Sequence, residues 1–371
     1  MKKSETFYQF LAKHKHSFFA PPREGDFDGA AVSAVMSEDI DLGGFWALVN
    51  STSDDVVEKA ALRAHELTIR NFGRVIHLYT PMYLSNFCDN ECVYCGFKKG
   101  NTIQRKTLTM DEVRRESEYI YSKGFRNILI LTGGARGAAP IDYIKSCVKI
   151  LRERFSSISI EVYELTTDEY RELIDEGVDG LVIYQEVYDE DIYRKVHLSG
   201  AKQNYEFRLS APERALSAGM RTVSIGALLG LGEWKSEGFF TALHASYLEK
   251  MFPSAEISIS VPRIRPQVSS FKPYSEVSDK DLVRIVTSLR VFLPRVGITL
   301  STRERAYLRD ILLSVGVTRM SAGSTTCVGG HTVKKEECRA EQFEISDIRD
   351  LNEIKDMLRN KGYQPVLKDW T

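Results

Sequence analysis

At 371 residues the chain can bury a large core, and 43% hydrophobic with 27% charged residues is ordinary for a folded enzyme. Its 50 basic and 51 acidic residues leave a net charge of −1, which excludes a bulk field for nucleic acid or an anionic membrane, so an anionic ligand must be met by individual arginines. No stretch approaches the roughly 20 apolar residues of a membrane helix, and the apolar run at 7–12 is too short for a signal core, so a cytoplasmic protein is expected.

Residues 1–72 read as an N-terminal helical extension. The apolar-periodic run at 60–68 closes on Asn71-Phe72-Gly73, a C-cap pattern. From about 75 the rhythm changes. Strands are predicted at 75–84, 127–131, 157–162, 180–184, 222–225, 255–261, 298–301 and 318–321. Helical patterns lie between them at 111–123, 141–154, 167–176, 211–218, 237–251, 279–293 and 303–313. Gly124, Gly177, Gly219 and Gly316 stop four of these helices. Eight strand–helix alternations predict an α/β fold, a (β/α)8 TIM-type barrel over 73–325. A C-terminal segment, 326–371, is expected to be helical and to pack on the barrel.

In such a barrel the chemistry sits at the C-terminal ends of the strands. A cysteine cluster follows the first predicted strand, Thr132-Gly133-Gly134 the second, and Gln185-Glu186 the fourth. Glu161 closes the third, Arg263 and Arg265 follow the sixth, Arg303 the seventh, and Ser321 lies at the eighth. The unusual polar residues are thereby expected on one rim.

Six cysteines occur, at 88, 92, 95, 147, 327 and 338. Without a secretory context a disulfide framework is not expected, and Cys327 and Cys338 read as free thiols. Cys88, Cys92 and Cys95 have the spacing C-x3-C-x2-C. Three thiolates on one loop can each take one iron of a four-iron cubane, leaving one iron open for chemistry. A zinc site would need a fourth ligand, and the nearest histidine, His77, belongs to the preceding strand. Three unrelated thiols are the remaining alternative.

The motif, with Tyr94 before its last cysteine, resembles that of the radical S-adenosylmethionine (SAM) superfamily. Tyr83-Leu84-Ser85-Asn86, Cys95-Gly96-Phe97, Arg105-Lys106, Tyr184-Gln185-Glu186, Pro262–Pro266, Leu300–Glu304 and the ending Tyr363–Trp370 are similar to the aromatic amino acid lyases, within them the tyrosine lyases of thiamine thiazole biosynthesis. The resemblance implies a 4Fe–4S cluster on Cys88, Cys92 and Cys95 with SAM on its open iron, and cleavage of the Cα–Cβ bond of L-tyrosine to 2-iminoacetate and p-cresol through a 5′-deoxyadenosyl radical. It implies a reducing donor such as a flavodoxin or ferredoxin and a thiazole synthase as partner, with no nucleic acid and no membrane.

Roles carry over by position. Arg303 would hold the tyrosine carboxylate, helped by Ser321, with Tyr94 at the pocket edge. Gly133 and Gly134 would approach SAM, although the family has Thr-Gly-Glu where this chain reads Thr132-Gly133-Gly134. Glu161 is a candidate acid, Glu186 a candidate for the SAM ribose, and Arg208 a candidate for the SAM carboxylate. Rival readings are the tyrosine lyase of hydrogenase maturation, a tryptophan lyase, or a non-catalytic Fe–S scaffold. The first of these carries a second cluster motif in a C-terminal extension, whereas this sequence ends at Thr371.

Overall fold

The computed structural model describes residues 5–18, 26–268, 271–333 and 340–368; Cys338, Asp369 and Trp370 lie outside them. Four helices come first: α1 (Phe7–Phe18), α2 (Phe27–Met36), α3 (Leu42–Asn50) and α4 (Asp54–Phe72). Gly73 ends α4 at φ 66°.

Eight parallel strands then alternate with helices. The strands are β1 (Val75–Ser85), β2 (Asn127–Thr132), β3 (Ser157–Glu161), β4 (Gly180–Val182), β5 (Thr222–Gly226), β6 (Glu256–Ser260), β7 (Gly297–Leu300) and β8 (Arg319–Ser321). They pair in sequence order, and β1 pairs with both β2 and β8, which closes the barrel. The helices are α5 (Met110–Ser122), α6 (Ile141–Leu151), α7 (Thr167–Glu176), α8 (Glu190–Val196), α9 (Tyr205–Leu209), α10 (Ala211–Ala218), α11 (Trp234–Met251), α12 (Asp279–Phe292) and α13 (Ala306–Leu312). Capping boxes start α5 (Thr109, Glu112), α7 (Thr166, Glu169) and α12 (Ser278, Asp281), so local sequence sets where each helix begins. The four predicted glycine stops all have positive φ, from 106° to 142°.

Two expectations are corrected. The seventh helix begins at Ala306 rather than 303, so Arg303 sits in the loop after β7. The C-terminal segment is not only helical: after α14 (Leu351–Asn360), β9 (Gln364–Val366) pairs in parallel with β1. It is three residues long with Pro365 at its centre, tolerable only at an edge, and so has no strand signature in sequence. Among the described residues no helix is long and apolar enough to cross a membrane.

The N-terminal helices dock through specific contacts. The Phe7 N–H donates to the buried Glu213 carboxylate at 2.9 Å, and the Phe7 ring stacks on His244 with centroids 4.1 Å apart. α2, α3 and α4 share an apolar cluster that includes Val291 of α12.

The segment after residue 340 is fixed by a buried ion pair. The Arg309 guanidinium, fully buried on α13, donates to Asp347 and to the Ser321 carbonyl. Arg349 also donates to Asp347, at 2.7 Å. Removing one partner of a buried pair leaves an uncompensated charge, at a cost of about 3–5 kcal/mol. Asp347→Ala is therefore expected to lower the unfolding free energy by an amount in that range, read as a lower denaturant midpoint. A midpoint equal to wild type would show that water reaches Arg309.

Candidate active site

The cavity at the C-terminal mouth of the barrel is lined by the three clustered cysteines and by most of the predicted polar residues. Thr132, Gly133, Gly134, Glu161, Glu186, Arg208, Arg265 and Arg303 all reach it, as does Tyr94. Ser321 lines the adjoining space, which shares Tyr83, Glu161, Arg303 and Phe343 with the main cavity.

The cysteine loop has little regular structure, so its backbone polar groups need other partners. Val93 and Glu91 donate to the carbonyls of Val196 and Ser199, and Cys92 bridges His197. Arg105 gathers the loop ends, donating to the carbonyls of Asn86 at 2.6 Å, Phe97 at 2.7 Å and Lys98 at 2.7 Å. Burial pushes the Cys92 and Cys95 thiols well up and up, respectively, so a bound metal must displace their protons. Among the described residues no three His, Cys, Asp or Glu side chains are gathered around one point for a single ion. A cubane asks for no such point, because each thiolate takes its own iron. Cys147 is buried in α6, outside the cavity. Cys327 is disulfide-bonded, which corrects its reading as a free thiol; spacing alone carried no signal of it.

The β2–α6 loop lies directly on the cysteine loop. A Cβ at Gly133 would come within 2.2 Å of the Phe87 carbonyl oxygen, so only glycine permits this approach. At Gly134 a Cβ would lie 2.1 Å from Asn90 Nδ2, so the Asn90 amide fills the space where the family's glutamate side chain would start. Next to them the Thr132 hydroxyl is buried without a hydrogen-bond partner, which fits a polar ligand lying over the glycines.

Acidic and basic groups interlock along the cavity wall. Among the described residues Glu186 is the one non-glycine with positive φ, 72°, a conformation that costs about 1–3 kcal/mol and concentrates at functional sites. Its carbonyl accepts from Leu228 N–H at 2.8 Å and its carboxylate from Lys202 Nζ at 2.7 Å. Arg208 donates to Glu164 at 2.8 Å and to the Tyr184 carbonyl at 2.9 Å, and stands 3.8 Å from Glu186. Two faces of the Arg208 guanidinium are thus engaged by protein. Burial and the neighbouring Glu186 push Glu161 up to about 7. Arg263 pairs with Glu304 and with Asp279 at 2.9 Å, whereas Arg265 faces the cavity.

Tyr94 is locked in place. His197 Nδ1 lies 2.9 Å from the Tyr193 carbonyl and carries the proton there. Burial and nearby Lys202 depress the His197 pKa to about 2, so the ring is neutral and its Nε2 accepts from the Tyr94 hydroxyl at 2.8 Å.

Arg303 differs from Arg208 and Arg263, which are paired with carboxylates. Its guanidinium stacks on Phe343, 3.3 Å from the ring centroid, and no carboxylate pairs with it among the described residues. Burial pulls its pKa down, yet it keeps surface open to the cavity. The neighbouring Ser321 hydroxyl accepts from Thr302 N–H at 3.1 Å and lies within hydrogen-bonding reach of the Tyr79 hydroxyl.

Lys202, Glu164, His197, Asn90 and Gln342 belong to this wall and were not singled out from sequence. The Gly200-Ala201-Lys202 turn resembles any solvated loop.

Comparison with known proteins gives the family. Residues 82–237 match the Radical SAM superfamily, and residues 260–364 match the Biotin and Thiamin Synthesis associated domain. The 2-iminoacetate synthase of Salmonella typhimurium is 37% identical over 346 residues, covering 93% of this chain and 90% of that protein. The 2-iminoacetate synthase of Escherichia coli is 37% identical over 338 residues, covering 91% and 89%. The solved structure of HydG, a maturase of the FeFe-hydrogenase, superimposes with a TM-score of 0.88 at 33% identity, covering 96% of this chain and 80% of that one. The cysteine loop falls inside the superfamily match, and likeness to the two synthases extends along almost the whole of each chain; the protein is a member of the 2-iminoacetate synthase family of radical SAM enzymes.

Proposed function

We propose that the protein cleaves the Cα–Cβ bond of L-tyrosine to 2-iminoacetate and p-cresol, for the thiazole of thiamine. The observation that carries this is Arg303: a partly buried guanidinium without a carboxylate partner among the described residues, opening into the cavity that holds the three thiols. A partly buried arginine without an acid suits an anion brought by a ligand. Cys88, Cys92 and Cys95 would hold the 4Fe–4S cluster, and Thr132, Gly133 and Gly134 would face SAM. Bound together, these cofactors supply a 5′-deoxyadenosyl radical that removes a hydrogen atom from substrate.

The protein's own part is placement. Arg303 would take the tyrosine carboxylate in a bidentate grip, and its stacking on Phe343 fixes the plane of that grip. Ser321 would donate to the same carboxylate. The amine is then aimed toward the cluster end of the cavity, where Tyr94 forms the wall. Placement matters because about 1 Å of error can cost about a hundredfold in rate. Glu186 would accept from the ribose hydroxyls of SAM, a task suited to a carboxylate held by Lys202. Arg208, anchored on Glu164, would support Glu186 and face the SAM carboxylate. Glu161, pushed up to about 7, is the acid nearest to neutral pH in this wall. A low-potential donor such as a flavodoxin or ferredoxin, a thiazole synthase that consumes the imine, and a cytoplasmic location complete the reading, on family grounds.

The test is anaerobic reconstitution with iron and sulfide, followed by SAM, dithionite and an aromatic amino acid. Tyrosine is expected to release p-cresol together with 5′-deoxyadenosine. SAM cleavage with tryptophan but not tyrosine would refute the substrate, and none with any aromatic amino acid would favour a scaffold.

A further inference from the structure

Two side-chain amides in the cavity wall face cluster cysteines. Asn90, inside the cysteine loop, places Nδ2 3.6 Å from Cys88 Sγ. Gln342, 247 residues from Cys95 along the chain, places Nε2 3.8 Å from Cys95 Sγ. An amide can present either its oxygen or its nitrogen, so orientation decides what it does. Here both oxygens are already engaged. The Lys202 backbone N–H donates to Asn90 Oδ1 at 2.9 Å, and the Tyr83 hydroxyl donates to Gln342 Oε1 at 2.7 Å. Each NH2 is therefore the end left to face sulfur. Asn90 is buried, and the Gln342 backbone is tied to the cysteine loop by Gly96 N–H donating to its carbonyl at 3.1 Å.

We infer that Asn90 and Gln342 are positioning residues for the cluster, donating N–H···S hydrogen bonds to Cys88 and Cys95 and so holding its reduction potential up. The inference rests on reading the three cysteines as cluster ligands. One electron from an external donor, dithionite in the test, takes the cluster from its 2+ to its 1+ state. No covalent bond forms or breaks. The reduced state carries more negative charge on its sulfurs, so N–H donors stabilise it more than the oxidised state.

Three single variants and one double variant test this. Gln342→Glu and Asn90→Asp keep each acceptor oxygen and the shape but lose the donor. Gln342→Met loses the donor without adding charge. Reconstituted protein is titrated with dithionite, and the reduced fraction is followed by electron paramagnetic resonance. At wild-type iron and sulfide content, the midpoint potential is expected to shift negative in all three, furthest in the Asn90→Asp/Gln342→Glu double variant. An unchanged midpoint in Gln342→Met and Asn90→Asp at full iron content overturns the inference and leaves the cluster assignment standing. Full iron retention after removal of a cluster cysteine would instead overturn the assignment itself.

Discussion

Arg303→Ala is expected to lower tyrosine turnover by roughly thirty- to several-thousand-fold while iron content stays at the wild-type level. The range follows from the loss of one partner in a buried charge pair, about 2–5 kcal/mol, at about 1.4 kcal/mol per factor of ten. In the free enzyme Arg303 makes no ion pair with a carboxylate among the described residues, so its removal breaks no ion pair of the protein, although nearby Glu161 loses a charge that holds its pKa down. The effect should therefore fall on substrate. Arg303 stands in the loop after β7 and stacks on Phe343, outside the cysteine loop, so cluster assembly is expected to survive its loss. Arg303→Lys keeps the charge but loses the fork and its flat stacking on Phe343, so it should recover only part of the activity. The measurements are p-cresol release, with kcat and KM separated, and iron per chain. Wild-type kinetics in the alanine variant would move the carboxylate site to Arg265, which also lines the cavity and, unlike Arg208, is not held by Glu164. Iron loss would show instead that Arg303 supports the cluster region.

The barrel could be read from sequence because its signals are local. Thr109, Thr166 and Ser278 mark helix starts, and Gly124, Gly177, Gly219 and Gly316 mark ends. Apolar runs between such marks leave little choice of strand. The cysteine spacing is likewise contained in eight residues. The rest of the wall depends on contacts between distant segments. Gln342 meets Cys95 only because the Arg309–Asp347 pair and the Gly96–Gln342 hydrogen bond hold a late segment against an early loop. Lys202 looks like a surface lysine until Glu186 is found beside it. Arg208 shows the reverse case. Its sequence neighbours are compatible with a ligand-facing arginine, but Glu164 and the Tyr184 carbonyl, both remote in sequence, occupy two of its donors. The glycine at 134 was visible as a departure from the family, but its physical companion was not. The Asn90 amide fills that space and faces Cys88, so the departure and the cysteine loop are one packing arrangement.

Cys92→Ala is expected to abolish cluster assembly and with it all SAM cleavage, whatever amino acid is supplied. Cys92 is the most enclosed of the three cavity cysteines, and its backbone bridges His197, so the loop around it is already in place before metal arrives. Alanine keeps that backbone pairing and removes only the sulfur, so the apo fold should persist with a stability close to wild type. With two thiolates left, a cubane would have two open irons and no third anchor. Iron per chain and the cluster's visible absorbance should both collapse. Cys147→Ala is the matched control. That side chain is equally buried but sits in α6, away from the cavity, so its loss should cost about 1 kcal/mol of packing and no iron. The two variants separate a ligand from a core residue by where the loss appears, in metal content or in folding stability. Full iron in Cys92→Ala, or iron loss in Cys147→Ala, would mean that the cluster is held by a different set of sulfurs.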